Sequence, residues 1–421
     1  MFPADVWAFT RIDGPVVVGI PLDYILLGTT LIGVALFHKY TLQVALSGLT
    51  IILGYNFLVT GFKHGAGLAG LISHLGHEWV ILANLFCLLV GFALLADHFE
   101  RSRVPLLIPR LMPAGWMGGF VLLSLTFLLS GFLDNIAAAI IGGTIAWSVY
   151  DRRVHIGYVA ALVAAANAGG AGSVVGDTTT TMMWIAGVEP VHVLPAYVAS
   201  SVAMVVVGIP ASMQQARHAD LVVDSGHKDP VDRARVGIVL FVLITAIVTN
   251  VTVNLYLSSI ADGFPFIGVA VWVALLASTP WRTPNWQLLP TTAKGSLFLL
   301  ALVACASLMP VEKLPPASWQ VSLALGFVSA FFDNIPLTAL AIKQGGYDWG
   351  LLAYAVGFGG SMIWFGSSAG VALANTMPEA KSVFSWIRHG WHVPLGYVIG
   401  FLVMLLLMGW HPTPLHGVSV P

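Results

Sequence analysis

Three aspartates lie in apolar stretches of the chain, with no lysine or arginine close to them in sequence. Asp134 sits in Ser130-Gly-Phe-Leu-Asp-Asn-Ile136, Asp333 in Ser329-Ala-Phe-Phe-Asp-Asn-Ile335, and Asp177 in Gly176-Asp-Thr-Thr-Thr-Thr181. An ionisable group far from water in a membrane is costly, and its presence points to function by default. Carboxylates gathered at low dielectric cannot all stay ionised. Some bind a cation or hold protons, and interacting groups titrate as a coupled set. A metal cation arriving displaces protons, and protons arriving displace the cation. That competition is the chemistry of exchange.

The neighbouring residues supply oxygen ligands. Asn135 and Asn334 follow two of the aspartates directly, and the stretch from Asn167 to Thr181 holds four glycines beside Asp177, Thr178, Thr179 and Thr180. Glycine disfavours continuous helix by about 1 kcal/mol relative to alanine, so a break is expected there. Unwound backbone at membrane depth is tolerated where it is buried in protein or lines a wet cavity. Its carbonyls then join Asn167, Asp177, Thr178 and Thr179 as the oxygen ligands that hard cations prefer. A second glycine-rich stretch, from Gly357 to Gly370, carries Ser361 and places Ser367-Ser368 where the first has Asp177-Thr178. The two are alike in backbone and unlike in charge. Close helix packing also favours small residues, but it does not account for Asp177. A site built only for anions should instead present hydroxyls, helix N-termini or arginine.

The elements that position these groups must be membrane helices. The chain is 57% hydrophobic and 9% charged, against about 25% charged in ordinary soluble domains. An all-α polytopic membrane protein is expected, with about ten spans of roughly 20 residues each. Ordinary spans fall at 15–36, 41–60, 79–96, 192–212, 236–256, 264–281, 295–310 and 393–411. Broken helices fall at 155–188 and 349–375. Segments 114–150 and 317–345 carry the Asp-Asn pairs near their middles and read as re-entrant hairpins. Asp and Asn also favour surface turns between full spans. Against that, the flanks Phe132-Leu133 and Phe331-Phe332 are apolar, and only Ile335 to Ile342 remain before Lys343.

Basic residues orient the spans through the positive-inside rule. With both ends of 114–150 in the cytoplasm, fourteen of the eighteen Lys and Arg residues fall inside, Lys39 and Lys228 among them. Arg11, Lys63, Lys313 and Lys343 fall outside, and both termini are expected outside. The charged connector 214–235 then separates two halves, 1–213 and 236–421. The halves have opposite topology, the inverted repeat of many secondary transporters. Gly169, Gly170 and Gly176 recur 190 residues later as Gly359, Gly360 and Gly366.

Other polar residues read more plainly. Asp97, beside His98 and Glu100, marks a solvated span end or a relay. Asp23 lies in the first span. His64, His74, His77 and Glu78 fall in an outside loop before the third span, where surface histidines or pH sensing would be found. Cys87 and Cys305 indicate neither disulfides nor a metal site, and the net charge of −1 gives no hint of nucleic acid. Met1 to Trp7 lack the basic region of a cleavable signal peptide. The fourteen tryptophans need only interfacial anchoring. No Gly-x-Ser-x-Gly or His-Glu-x-x-His signature suggests an enzyme. Inverted repeats with broken helices suit alternating access better than a gated channel.

Segments 329–337, 167–171, 176–180 and 359–372 together resemble the NhaD-type sodium/proton antiporters. These belong to the ion transporter superfamily, with arsenite permeases and citrate or dicarboxylate carriers. The resemblance covers about residues 75–400. It implies an inverted-repeat fold, a moving transport domain and a scaffold domain that often dimerises. It further implies electrogenic exchange of Na+ or Li+ for H+ in the bacterial inner membrane, with no cofactor. Carried over by motif, Asp134, Asn135, Asn167, Asp177, Thr179 and Thr180 are functional residues of the first half. Asp333, Asn334, Ser361 and Ser367 are those of the second, and Asp97 falls where an acidic residue is usual. Na+ or Li+ is expected at Asp134, Asn135, Asp177 and Asp333, with Thr178 and Ser368 beside them. Ala137-Ala138 depart from the family's threonines. An anion carrier on the same scaffold would place serine at the hairpin tips, in a Ser-Asn-Thr motif.

Overall fold

A computed structural model describes residues 14–37, 40–63, 65–222, 230–257, 260 and 263–414. Expectations resting on Met1 to Trp7, Arg11, Lys39, His64, Lys228 and the two termini lie outside the described residues. The chain is an all-α polytopic membrane protein. Beside the helices there is a short ribbon of two-residue strands, β1 Val16–Val17 and β2 Ile20–Pro21, turned at Val18 and Gly19 with φ of 53° and 80°. Glycine takes positive φ at little cost, and this turn shortens the first span at its start.

In chain order the helices of the first half begin with α1 Leu22–Leu36, α2 Thr41–Tyr55 and α3 Gly67–Arg101. The first hairpin follows as α4 Trp116–Ser130 and α5 Asn135–Val149. The first broken helix is α6 Ile156–Ala171 and α7 Thr178–Ile185, and α8 Pro190–Val193 leads into α9 Ala196–His218. The second half runs α10 Arg233–Tyr256, α11 Phe266–Ser278 and α12 Leu289–Ser307. Its hairpin is α13 Trp319–Ser329 and α14 Asn334–Gln344, and its broken helix is α15 Trp349–Gly359 and α16 Ser368–Thr376. α17 Val383–His389 and α18 His392–Met408 close the chain, bent 58° from each other. Among the described residues five helices are long and apolar enough to cross a membrane, or six with the bent pair as one.

α3 corrects one expectation. Residues 67–78, read as loop, extend the third span into a 35-residue helix. Leu68, Leu71, Ile72 and Leu75 recur at i, i+3, i+4 and i+7, the period of a helix face. His74, His77 and Glu78 are therefore helical.

The hairpin arms are short. At 1.5 Å per residue, the 15 residues of α4 and of α5 span about 22 Å and the 11 residues of α13 and of α14 about 16 Å. A bilayer core is about 30 Å thick.

One large core holds the hairpins, the broken helices, α9 and α18, with Leu122, Ala139, Leu162, Ala203, Leu352 and Phe401 all buried. It draws on both halves of the sequence. Two smaller cores flank it. α3 packs with α10 and α11 through Leu88, Leu94, Val242 and Val271, and α12 packs with α1 and α2 through Leu27, Ile52, Leu302 and Cys305. α3, before the charged connector, thus packs with two helices that follow it, and α12, after the connector, with two that precede it. α3 and α12 also meet α7 and α14, at Leu85, Met182, Leu299 and Ile335. The described part of the connector is tied down by Asp232, which caps α10 and pairs with Arg282 at 2.8 Å. Its hydrogen bond from Arg282 holds that carboxyl below the usual carboxylate range.

Candidate functional site

Every break in the core is a helix N-terminus capped by a candidate residue. Asp134 caps α5 by accepting from Ile136 N at 3.3 Å, and Asp333 caps α14 by accepting from Ile335 N at 3.1 Å. Asp177 caps α7, accepting weakly from Thr179 N at 3.5 Å and strongly from Thr179 Oγ1 at 2.6 Å. Ser367 caps α16, accepting from Gly370 N at 3.2 Å. Asp, Asn, Ser and Thr are the preferred capping residues because their oxygens satisfy orphan N–H groups. The positive end of each helix dipole also favours a carboxylate there. The sequence offered no compensating charge for these aspartates, and the folded chain supplies part of it this way.

The tips and the breaks are joined side chain to side chain. Asn135 Nδ2 donates to Asp177 Oδ1 and to Asn167 Oδ1, both at 3.0 Å. Asn167 Nδ2 donates onward to Ser361 Oγ at 2.9 Å and Ser367 Oγ at 3.1 Å. Ser368 Oγ donates to Asp333 Oδ2 at 3.0 Å. Asn135, Asn167, Asp177, Ser361 and Ser367 are all buried. Each chain reversal can close on itself because Gly170 and Gly360 lack side chains. A Cβ on the first would lie 2.6 Å from Gly176 O, and on the second 2.7 Å from Gly366 O.

A cavity of about 510 Å3 opens beside this network, between α3, α5, α7 and α12. Asp134, Asp177, Thr178 and Ser368 line its inner end, while Asp97 and the exposed Glu100 line its other end. Asp97 pairs with Arg101 at 3.0 Å and accepts from Asn285 Nδ2 at 3.3 Å. A second hollow, of about 480 Å3, runs between Ile32 and Phe331. It is apolar and offers an ion no oxygens.

Several expected ligands do not line the cavity. Thr180 Oγ1 donates to the carbonyls of Ser173 at 2.5 Å and Asp177 at 2.9 Å, so it braces the break. Asp333 faces Ser368 and does not line the cavity. Asn334 is buried, with Nδ2 lacking a hydrogen-bond partner. Among the described residues no three acidic, histidine or cysteine side chains converge closely enough to hold a metal ion. The aspartates are each pinned to their own helix and do not close on one point. His77 is exposed and bonds Ser73 O at 2.7 Å, and neither it nor Glu78 reaches the cavity. Asp23 is buried in the first turn of α1.

No family model matches the chain. It is 27% identical over 365 residues to sodium/proton antiporter 1 of Arabidopsis thaliana, covering 76% of this chain and 59% of that protein. Sodium/proton antiporter 2 of the same plant is 26% identical over 358 residues, covering 70% of this chain and 75% of its own length. The Na+/H+ antiporter NhaD of Vibrio parahaemolyticus is 25% identical over 339 residues, covering 67% and 78%. The chain is thus similar to sodium/proton antiporters, those of the NhaD type among them. Its span, 59% of the length of the first relative, is a fact of the match. Ala137 lines the cavity and Ala138 is fully buried.

Sequence reasoning missed three parts of this candidate site. Ser173 Oγ donates to Gly131 O at 2.7 Å and holds the first break against the first hairpin tip. Tyr197 OH donates to Gly169 O at 3.1 Å from α9. Thr291, Thr292 and Ser296 line the cavity from α12. The spacing of Thr292 and Ser296, four apart and so on one helix face, was the available signal.

Proposed function

We propose that this chain exchanges Na+ or Li+ for protons across a membrane by alternating access. One observation carries the reading: Asp134 and Asp177 line one cavity, and Asn135, next to Asp134 in the chain, donates to Asp177. Two carboxylates at low dielectric favour a single added positive charge, and a sodium ion or a proton can supply it. Thr178, Asn135 and the unwound backbone add neutral oxygens suited to a small hard cation. Asp333, behind Ser368, is the second-half counterpart and comes into play as the hairpins move. No catalytic chemistry is assigned, and no cofactor is required.

The same reading covers the architecture. Residues 1–213 and 236–421 are inverted repeats, each with three spans, a re-entrant hairpin, a broken helix and a final span. The short hairpin arms support re-entry, and the matched glycine contacts at Gly170 and Gly360 support the repeat. The protein lies in a bacterial inner membrane, with its termini outside and a homodimer as its assembly.

The helix N-termini favour a second reading. The fourth, at α16, is capped by uncharged Ser367 and keeps its attraction for an anion. A sodium- or proton-coupled carrier of citrate, a dicarboxylate or arsenite would use it. The other three N-termini already hold carboxylates of the chain itself, which leaves an anion a single foothold.

Everted vesicles energised by respiration decide between them. Adding sodium or lithium should dissipate the proton gradient. A response to citrate, a dicarboxylate or arsenite, with none to either cation, would reject exchange in favour of anion transport.

A further inference from the structure

The cavity has two carboxylates at each end and an unusual wall between them. α3 and α12 run antiparallel along it. Asn285, just before α12, bonds Asp97 near the end of α3, and Leu299 packs near Leu85 at the inner end. Between those levels α12 presents Thr291, Thr292, Gly295 and Ser296. Facing them are apolar side chains such as Leu88, Phe92 and Ile140. Apolar walls offer a bare ion nothing. A volume of about 510 Å3 is many times the ~30 Å3 that one water occupies in the liquid, so an ion can travel it hydrated. Asp97, paired with Arg101, and the exposed Glu100 stand at the mouth.

Gly295 lines this passage. A Cβ built on it meets nothing within 4 Å, so a side chain there would project into open space and not into a neighbour. We propose that the slot between α3, α5 and α12 is the aqueous route to Asp134 and Asp177, with Gly295 as its aperture. The route rests on the exchange reading above, and it names residues on a helix that carries none of the aspartates.

The test is labelling in the full chain with Cys87→Ala and Cys305→Ala as background, in membrane vesicles of both orientations. Ala137→Cys, beside Asp134, reports the inner end, and Thr292→Cys reports the outer end. The probe is an impermeant, positively charged methanethiosulfonate. Both cysteines should react from the face that carries Arg101 and Arg103. Adding Gly295→Trp should slow Ala137→Cys at least tenfold and leave Thr292→Cys reactive. Gly237→Trp, on α10 and likewise without neighbours within 4 Å, should change neither rate. Ile140→Cys replaces Ala137→Cys if that variant does not fold. Equal labelling with and without Gly295→Trp overturns the route, as does reaction from the opposite face only. Wild-type exchange by Gly295→Trp also overturns it. The labelling can be read whether or not the protein transports. The expected labelling without any cation-dependent proton flux would therefore sink the exchange reading and leave the route standing.

Discussion

Asn167 in the first half and Ser361 in the second, 194 residues apart in sequence, are joined by a hydrogen bond of 2.9 Å. The same amide binds Ser367 and accepts from Asn135. One side chain therefore ties a hairpin tip to both interrupted helices. Its equivalent 190 residues later is Gly357, which ties nothing and leaves space in front of Asp177. The halves are complementary at this point.

Asn167→Ala should loosen both halves together. It leaves buried hydroxyls and the Asn135 amide short of partners, and a buried polar group left unsatisfied costs about 1–3 kcal/mol. Thermal unfolding in detergent should show a clear loss, larger than for Ser361→Ala. Equal losses would mean that Asn167 is not the hub.

Asp177→Asn should leave the fold intact, because the amide oxygen can accept from Asn135 while the amide nitrogen donates to Thr179 Oγ1. Exchange should nearly vanish. Losing a charged ligand worth about 3 kcal/mol is roughly a 100-fold fall in apparent cation affinity. Proton flux in vesicles against sodium concentration measures it, and a wild-type curve would remove Asp177 from the site.

Gly357→Ala should harm function more than stability. Its Cβ would lie 3.1 Å from Asp177 Oδ2, crowding a carboxylate held by Asn135 and Thr179. A shift worth about 1.4 kcal/mol would raise the apparent KM for sodium roughly tenfold. An unchanged KM would show that the carboxylate can step aside.

His155 should make stability depend on pH. It caps α6, its Nδ1 accepting from Gly157 N at 3.2 Å, and its ring meets those of His218 and His389 at 5.4 and 5.1 Å. Burial first, then His389 and His218, hold its imidazole below the ordinary range. As pH falls the unfolded chain takes the proton first. The stability is therefore present above an ordinary imidazole pKa of about 6.5 and is lost below it. His155→Asn keeps a capping oxygen and removes the titration. Its Tm should fall less than that of the wild type between pH 7 and 5, and parallel curves would clear His155.

Much of the site was legible because its residues are out of place in lipid. Asp134, Asp177 and Asp333 stood out against apolar flanks, and the glycine runs marked where helix must stop. The folded chain brings the first hairpin tip to Asn167 and Asp177, and the second to Ser368. Partner choice among helices was not legible. α3 and α12 are apolar on most of their surface, and no pattern says that each packs with the spans of the other half. The helix at 67–78 was masked by its histidines and Glu78, although its leucine stripe was there to be read. The place of Asp333 outside the cavity depends on the direction of one side chain, which spacing along the chain does not encode.

The 35 residues of α3 make a rod of about 52 Å, longer than the roughly 40–45 Å of a bilayer with its headgroups. Such a rod must lean or stand proud of the surface, and how far it leans follows the thickness of the lipid around it. Since one flank of α3 walls the slot, acyl-chain length becomes a handle on conductance. Reconstitution in short- and long-chain lipids turns that handle without touching the protein.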